Sequence, residues 1–413
     1  MQTMPKIKNE KEKQEYIKKY SDMLIESKNL IFRGAPGTGK SYLAKEIATY
    51  IISDGKFGDY KQLSDEQKRQ VEFVQFHPSY DYSDFVEGLR PRINDDGTMG
   101  FELQDGIFKK FIARARKNLE ELLTEFLDGT KRGVNTFKTT GKKSEFQIAD
   151  FDDKQIKISI PKNDKVNTQD LNRDEICKML KSGQDFKKVT DVKSFFNKTH
   201  QTHQHSYYLA IYKAIIEKKK KYIFIIDEIN RGEISKIFGE LFFAIDPEYR
   251  GKAGEISTQY ANLHTDPDEK FYIPENVYII GTMNDIDRSV DSFDFAMRRR
   301  FRFVELRADE RLEMLDLLGT ASKKQAIDRM TALNKEIVNV EDLNENYQIG
   351  VSYFLKLKTL SFDRLWTDYL QPLLQEYVQG MHDEEGLMNK FAKAYGYQKP
   401  TKGDVNEPAQ NQG

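Results

Sequence analysis

The residues best equipped for chemistry are Gly34-Ala35-Pro36-Gly37-Thr38-Gly39-Lys40-Ser41, which match G-x-x-x-x-G-K-[ST] at every fixed position. Glycines in such a loop let backbone N–H groups turn toward one point, and a helix starting at its end adds partial positive charge. Lys40 brings a full charge for the β- and γ-phosphates of a nucleoside triphosphate, and the Ser41 hydroxyl can ligate Mg2+. Gly34, Pro36, Gly37, Thr38, Gly39, Lys40 and Ser41 are therefore the candidate phosphate cradle. A cradle of this kind needs a carboxylate at the end of a neighbouring strand to hold the metal shell. The apolar run Tyr222–Ile226 ends in Asp227-Glu228. That places Asp227 at a buried strand's carboxyl end and Glu228 where a general base would face an attacking water. A second run, Val277–Gly281, ends in Thr282-Met283-Asn284, and an amide at Asn284 could orient that water. Downstream, Arg298-Arg299-Arg300 is either a solvated or nucleic-acid-facing basic run or the source of an arginine finger, which is worth ~10³–10⁵ in rate. A finger often reaches the nucleotide of a neighbouring subunit, so this reading implies a ring.

These residues need a parallel sheet to position them. Apolar runs at Asn29–Phe32, Val71–Phe76, Tyr222–Ile226, Val277–Gly281 and Phe301–Leu306 alternate with stretches of helical spacing such as Ser41–Ser53 and Glu233–Ile245. The expected fold class is α/β: a parallel sheet flanked by helices, an inserted small α+β module and a C-terminal helical lid. The pattern divides the chain into a helix and linker over 1–28, a first part of the core over 29–119, the insertion over 120–205, a second part of the core over 206–306, the helical domain over 307–397 and a disordered tail over 398–413. The insertion is too long to be a plain loop. It carries an alternating stretch, Phe146–Ile160, and a short helical one, Asp174–Lys181; the alternative is that part of it is disordered.

Composition narrows the function classes. Lys+Arg 65 against Asp+Glu 66 leaves a net charge of −1 across 413 residues, so any DNA contact must come from a local patch. A 12% aromatic content argues for a folded chain, and a single cysteine, Cys177, excludes an internal disulfide. No apolar run approaches the ~18 residues of a membrane span, and the start of the chain is polar and rich in Lys and Glu, so the expected compartment is the cytoplasm without membrane attachment. His200, His203 and His205 form a His-x-x-His-x-His run that is either a metal site or a polar surface stretch. Without a nearby Cys and with few flanking carboxylates, the surface reading is preferred. Lys218–Lys221 reads as a solvated helix end.

The order of phosphate loop, Asp-Glu strand, Asn-ended strand, arginine cluster and helical domain resembles the AAA+ NTPases. Finer motifs resemble the McrB family, the motor subunit of modification-dependent (type IV) restriction systems. Val74-Gln75-Phe76-His77-Pro78-Ser79-Tyr80, with Tyr82, Asp84-Phe85, Gly88 and Arg90-Pro91, is similar to the family's segment after the second strand. Phe224–Arg231 is similar to its Walker B strand, Met283-Asn284-Asp285-Ile286-Asp287-Arg288-Ser289 to its Met-Asn-x-x-Asp-Arg-Ser signature, and Arg298–Phe301 to its Arg-Arg-Arg-Phe. Ile349-Gly350-Val351-Ser352-Tyr353-Phe354 is similar to its lid motif, with Val351 where the family more often has His. The resemblance covers about 29–118 and 208–354.

The resemblance implies GTP with Mg2+ as the usual fuel, ATP remaining possible, because no Asn-Lys-x-Asp of the Ras-like kind appears; Asn334-Lys335 is followed by Glu336-Ile337. It implies Lys40 and Ser41 on phosphate and Mg2+, Asp227 on the Mg2+ shell, Glu228 as base, Asn284 positioning water, and Arg298 and Arg299 as fingers. Asp287 and Arg288 would bridge subunits near the nucleotide or form a core salt bridge. The implied partners are further copies in a homo-oligomeric ring, a hexamer by expectation, a McrC-like nuclease subunit, and DNA through the complex. The expected function is GTP hydrolysis powering DNA translocation and cleavage by a McrBC-type complex in phage defence. The alternatives are a MoxR-like ATPase that remodels protein partners and a non-catalytic scaffold gated by nucleotide. McrB proteins usually carry a DNA-reading domain before the motor, and only about 28 residues precede the first strand here. Either the chain is truncated, or target reading falls to the insertion or to another subunit.

Overall fold

The computed structural model describes residues 10–131, 136–139, 144–161, 167–182, 184, 186–197, 203–217, 219–286 and 295–398. In chain order its strands are β1 (Asn29–Gly34), β2 (Val71–Gln75), β3 (Glu87–Ile93), β4 (Met99–Asp105), β5 (Thr136–Lys138), β6 (Glu145–Phe151), β7 (Gln155–Ser159), β8 (Thr168–Asn172), β9 (Tyr222–Asp227), β10 (Val277–Asn284) and β11 (Arg302–Glu305). Five of them form a sheet in the order β11-β1-β10-β9-β2, and every neighbouring pair is parallel. The three central strands are apolar almost end to end because both faces are covered. Leu30, Phe32, Ile223, Ile225 and Ile280 face helices Glu10–Ser27 and Lys40–Ile52 through Tyr20, Leu43 and Ile47. The alternate residues Ile31, Phe224, Ile226 and Ile279 face Phe85, Phe108, Phe111 and Phe238. This is the α/β class with helices on both sides of a parallel sheet and a helical domain after it.

The insertion holds a four-stranded antiparallel sheet in the order β5-β6-β7-β8, covered by helices Arg173–Lys181 and His203–Glu217, so its core runs past the expected boundary at 205 to the end of that helix. It has its own core, in which Phe146, Ile156, Ile158 and Leu171 pack against Ile176, Leu209 and Ile211. The single alternating stretch expected over Phe146–Ile160 is two strands, β6 and β7, because the Asp152 carboxylate accepts from Lys154 N and Gln155 N, both at 2.7 Å, and turns the chain. Helix Ile107–Lys131 joins the two bodies: Phe108, Phe111, Ile112 and Ala115 belong to the core beneath the parallel sheet, and Leu122, Leu123, Phe126 and Leu127 to the core of the insertion.

Other elements depart from the pattern. Glu233–Ile245 is two short helices, Ile234–Phe238 and Leu241–Ala244, because Gly239 between them sits at φ 49°. β3 and β4 pair as a hairpin whose register sets Leu89 against Leu103, Pro91 against Phe101 and Ile93 against Met99. Arg311–Leu318 does not form an α-helix; Leu312–Leu318 winds as 3-10 turns. The helical domain packs Leu333, Phe354, Trp366, Phe391 and Tyr395 around helix Thr320–Val338. His205 is buried beside Phe196 and Tyr208, which corrects the surface reading of that residue. Lys219, Lys220 and Lys221 follow helix His203–Glu217 and are partly buried, Lys220 pairing with Glu66 at 2.5 Å, so they are not a solvated helix end. Asp287, Arg288, His200, Lys218 and the tail beyond 398 lie outside the described residues. Among the described residues no helix is long and apolar enough to cross a membrane.

Candidate functional site

The phosphate loop runs from the end of β1 into helix Lys40–Ile52, with Gly39 as its N-cap at φ 88°. Parallel order puts the ends of β1, β10 and β9 side by side, with Gly34 paired to Asn284 and Gly281 to Ile226. Helix and strand ends thus converge on the carboxyl edge of the sheet, where open α/β sheets bind ligands. Lys40 is 7% exposed, and its amine donates to Gly34 O at 3.0 Å and Ala35 O at 2.8 Å, so its charge is held directly over the loop.

Asp227 ends β9, two strands from β1 with β10 between them. Its Oδ1 accepts from the Ser41 hydroxyl at 2.5 Å and from the Thr282 hydroxyl at 2.5 Å. Carboxylate and hydroxyl oxygens are the hard donors that Mg2+ takes, and Mg2+ needs few protein ligands because it keeps waters and shares phosphate oxygens. Ser41 and Asp227 therefore fit that ion. Glu228 adopts φ 52°, ψ 44°, a left-handed conformation costing a non-glycine residue roughly 1–2 kcal/mol. This turn reverses the side chain toward β10, where Asn284 Nδ2 donates to Glu228 Oε1 at 2.7 Å; Arg231 Nε lies 3.4 Å from Oε2. Asn284 itself is held by Asn230 Nδ2, which donates to its carbonyl at 3.3 Å. Asp285, the next residue, is half-buried; burial pushes its carboxyl up, and the charges of Arg33 and Lys40 oppose that shift.

The lid motif closes the loop from above. Gly350 N donates to Pro36 O at 3.0 Å and Ser352 N to Gly37 O at 2.8 Å. Gly37, at φ 76°, lies against the Tyr353 ring, so a side chain there would collide as well as strain. Asn334 fixes the motif from behind: its Nδ2 donates to Ile349 O at 2.9 Å, and its Oδ1 accepts from Ile349 N at 2.7 Å. Asn334 thus serves backbone geometry rather than base recognition. Beside Gly39 a cleft of about 440 Å³ opens between Tyr42, Met314, Leu317 and Leu355, with Lys13 and Lys358 at its rim.

The structure thus brings together Lys40, Ser41, Asp227, Glu228 and Asn284. The arginine triplet divides: Arg298 and Arg299 are exposed on helix Phe295–Arg300, whereas Arg300 turns inward, 3.8 Å from Asp246 and over the Phe242 ring. Thr282, Arg231, Asn230 and Ser352 touch the site although the sequence reading gave them no role of their own. Asn230, Arg231 and Ser352 stood within the quoted Walker B and lid motifs, and Thr282 is two residues from Asn284 and hence on the same face of β10.

A five-stranded parallel sheet, a phosphate loop facing an Asp-Glu strand end, and a helical lid bonded to that loop define an AAA+ P-loop NTPase domain. Residues 166–301 match the AAA domain of the dynein-related subfamily, and residues 325–385 match the family described as the McrB alpha-helical lid domain. Among curated proteins, the chain is 28% identical over 365 residues to the type IV methyl-directed restriction enzyme EcoKMcrB subunit of Escherichia coli (strain K12), covering 85% of this chain and 54% of that protein. It is 26% identical over 180 residues to the type II restriction enzyme BsuMI component YdiS of Bacillus subtilis (strain 168), covering 41% of this chain and 52% of that protein. The chain is therefore similar to McrB proteins in both its AAA domain and its helical lid. It spans about half the length of the curated relatives it matches.

Proposed function

We propose that this chain is the nucleotide-hydrolysing motor of a restriction complex, using GTP in preference to ATP. One observation carries the reading: the Ser41–Asp227–Thr282 cluster lies beside the Glu228–Asn284 pair, one residue along from Lys40. In this reading Lys40 exchanges its loop carbonyls for the β- and γ-phosphates, a change from neutral to charged acceptors that favours the bound state. Mg2+, held by Ser41 and Asp227, supplies charge neutralisation on the phosphates. Glu228 accepts a proton from the attacking water, and Asn284 fixes both Glu228 and that water. The base lies in the cleft beside Tyr42 and Met314, whose apolar walls suit a purine face. Exposed Arg298 and Arg299 reach a neighbouring copy's phosphates, which makes the working form a ring, a hexamer by family expectation. Both relatives are named as components of restriction enzymes, which supports a nuclease partner of the McrC kind and DNA as the substrate of the complex in phage defence.

The test is turnover of GTP and ATP with Mg2+, measured on wild type and on Glu228→Gln. The expected result is faster GTP turnover, a loss of at least ~10²-fold in Glu228→Gln, and retained nucleotide binding in that variant. No turnover of either nucleotide by wild type, or unchanged turnover in Glu228→Gln, overturns the reading.

A further inference from the structure

At the opposite edge of the sheet, where β1, β10 and β9 begin, a second cleft of about 270 Å³ separates the core from the insertion. Strands of six residues put it roughly 20 Å from the phosphate loop. The insertion contributes Leu180, Tyr212 and Ile216, and the core contributes the residues just before three strands: Lys28, Lys221 and Asn276. Lys219, in the connection between the two bodies, completes it.

Two polar groups in this wall lack what they need. Lys28 is paired with Glu275 at 3.5 Å and Lys221 with Asp54 at 3.8 Å, but among the described residues Lys219 forms no ion pair and its amine donates no hydrogen bond. Burial pulls that amine down to about 8; Glu275 opposes the shift and Lys28 adds to it. Glu217 and Glu275 also line the cleft, but Glu275 is engaged by Lys28 and neither carboxylate forms an ion pair with Lys219. Asn276 is 5% exposed; its Nδ2 donates to Lys220 O at 2.9 Å, while its Oδ1 is buried with no donor among the described residues. A buried acceptor without a donor and a partly buried amine without an ion-pair or hydrogen-bond contact among the described residues line one cavity, and native structures seldom leave such groups unanswered.

We propose that this cleft is a second ligand site, built for a small organic phosphate. The phosphate meets Lys219, flanked by Lys28 and Lys221. An apolar or planar body lies against Tyr212, Ile216 and Leu180, and a hydroxyl or amino group donates to Asn276 Oδ1. The two sides of the cleft belong to different bodies, so an occupant clamps the insertion to the edge of the motor sheet. This site is separate from the phosphate loop and stands independently of the proposed hydrolysis.

The experiment uses the full chain and GMP as probe, with inorganic phosphate alone and a short oligonucleotide as further arms. Amine acylation read by mass spectrometry on wild type reports Lys219 directly; the expected result is rapid labelling, suppressed at least fivefold by GMP. Equilibrium binding is then measured with the phosphate loop saturated by a non-hydrolysable GTP analogue and Mg2+, because GMP lacks the β- and γ-phosphates that Lys40 meets. One saturable GMP site is expected, weakened at least tenfold by Lys219→Met and largely restored by Lys219→Arg. Unchanged Lys219 labelling at millimolar GMP, equal affinity in Lys219→Met, or protection by the oligonucleotide alone overturns the proposal.

Discussion

Gly350→Ala tests whether the lid must touch the phosphate loop for nucleotide to bind. Gly350 has an ordinary backbone conformation, φ −77° and ψ 161°, so alanine brings no local strain. Its methyl carbon, however, would lie 2.1 Å from Gly37 C and 2.3 Å from both Gly37 O and Thr38 N. Van der Waals contact begins near 3.4 Å, so lid and loop must separate by about 1 Å. That displacement stretches both inter-body hydrogen bonds, Gly350 N to Pro36 O at 3.0 Å and Ser352 N to Gly37 O at 2.8 Å, out of range. At ~1 kcal/mol each, the loss is about 2 kcal/mol, or roughly 30-fold in an equilibrium that requires the closed lid. The assay is titration with a fluorescent GTP analogue and Mg2+, alongside thermal unfolding and a Gly58→Ala control, a position where a methyl meets nothing within 4 Å. The expected pattern is a tenfold to hundredfold affinity loss in Gly350→Ala alone, with an unfolding midpoint close to wild type. Wild-type affinity in Gly350→Ala would show that the lid contact is dispensable and refute the reasoning.

Three other outcomes are expected. Lys40→Ala removes the charge facing the β- and γ-phosphates, and a charge-assisted bond of about 1.5–3 kcal/mol predicts a drop of at least tenfold in nucleotide affinity by the same titration. Arg298→Ala and Arg299→Ala leave binding by the isolated chain intact but suppress concentration-dependent turnover, and mixing either with Glu228→Gln restores part of it; failure of every mixture removes the case for a finger acting across subunits. Arg311, 1% exposed, bonds Glu46 at 2.8 Å and Glu313 at 2.6 Å, tying helix Lys40–Ile52 to the start of the lid. Arg311→Ala leaves buried Glu313 without its partner and Glu46 with Lys13 alone, at 3.0 Å, and is expected to cost about 3–5 kcal/mol in denaturant unfolding, whereas a loss below about 1 kcal/mol would mean water and Lys13 replace the guanidinium at little cost.

The parallel sheet was legible because its central strands are continuous apolar runs, and few other elements carry that signal. Hairpin β3–β4 was not, since Pro91 and Gly100 interrupt its alternation and its apolar side faces outward, with Ile93 and Met99 each 76% exposed. β6 and β7 merged in the sequence because a turn made of aspartates does not break an alternating pattern. In the site, the loop and the two strand ends announce themselves because each couples a local motif to a local element. The contacts of Gly350 and Ser352 with the loop link residues more than 300 positions apart, and Asn334 reaches Ile349 fifteen residues on through tertiary packing; no spacing encodes either. The inward turn of Arg300 beside outward Arg298 and Arg299 follows from helix phase and from the position of Asp246, neither visible in three identical letters.

Helix Ile107–Lys131 is rooted in one core and ends in another, and at 1.5 Å per residue its 25 residues make a rod of roughly 37 Å. Phe108 and Phe111 anchor its root under the strand bearing Asp227, so the rod is a long lever arm: by geometry alone, a tilt of about 5° at the root would carry the far end by about 3 Å.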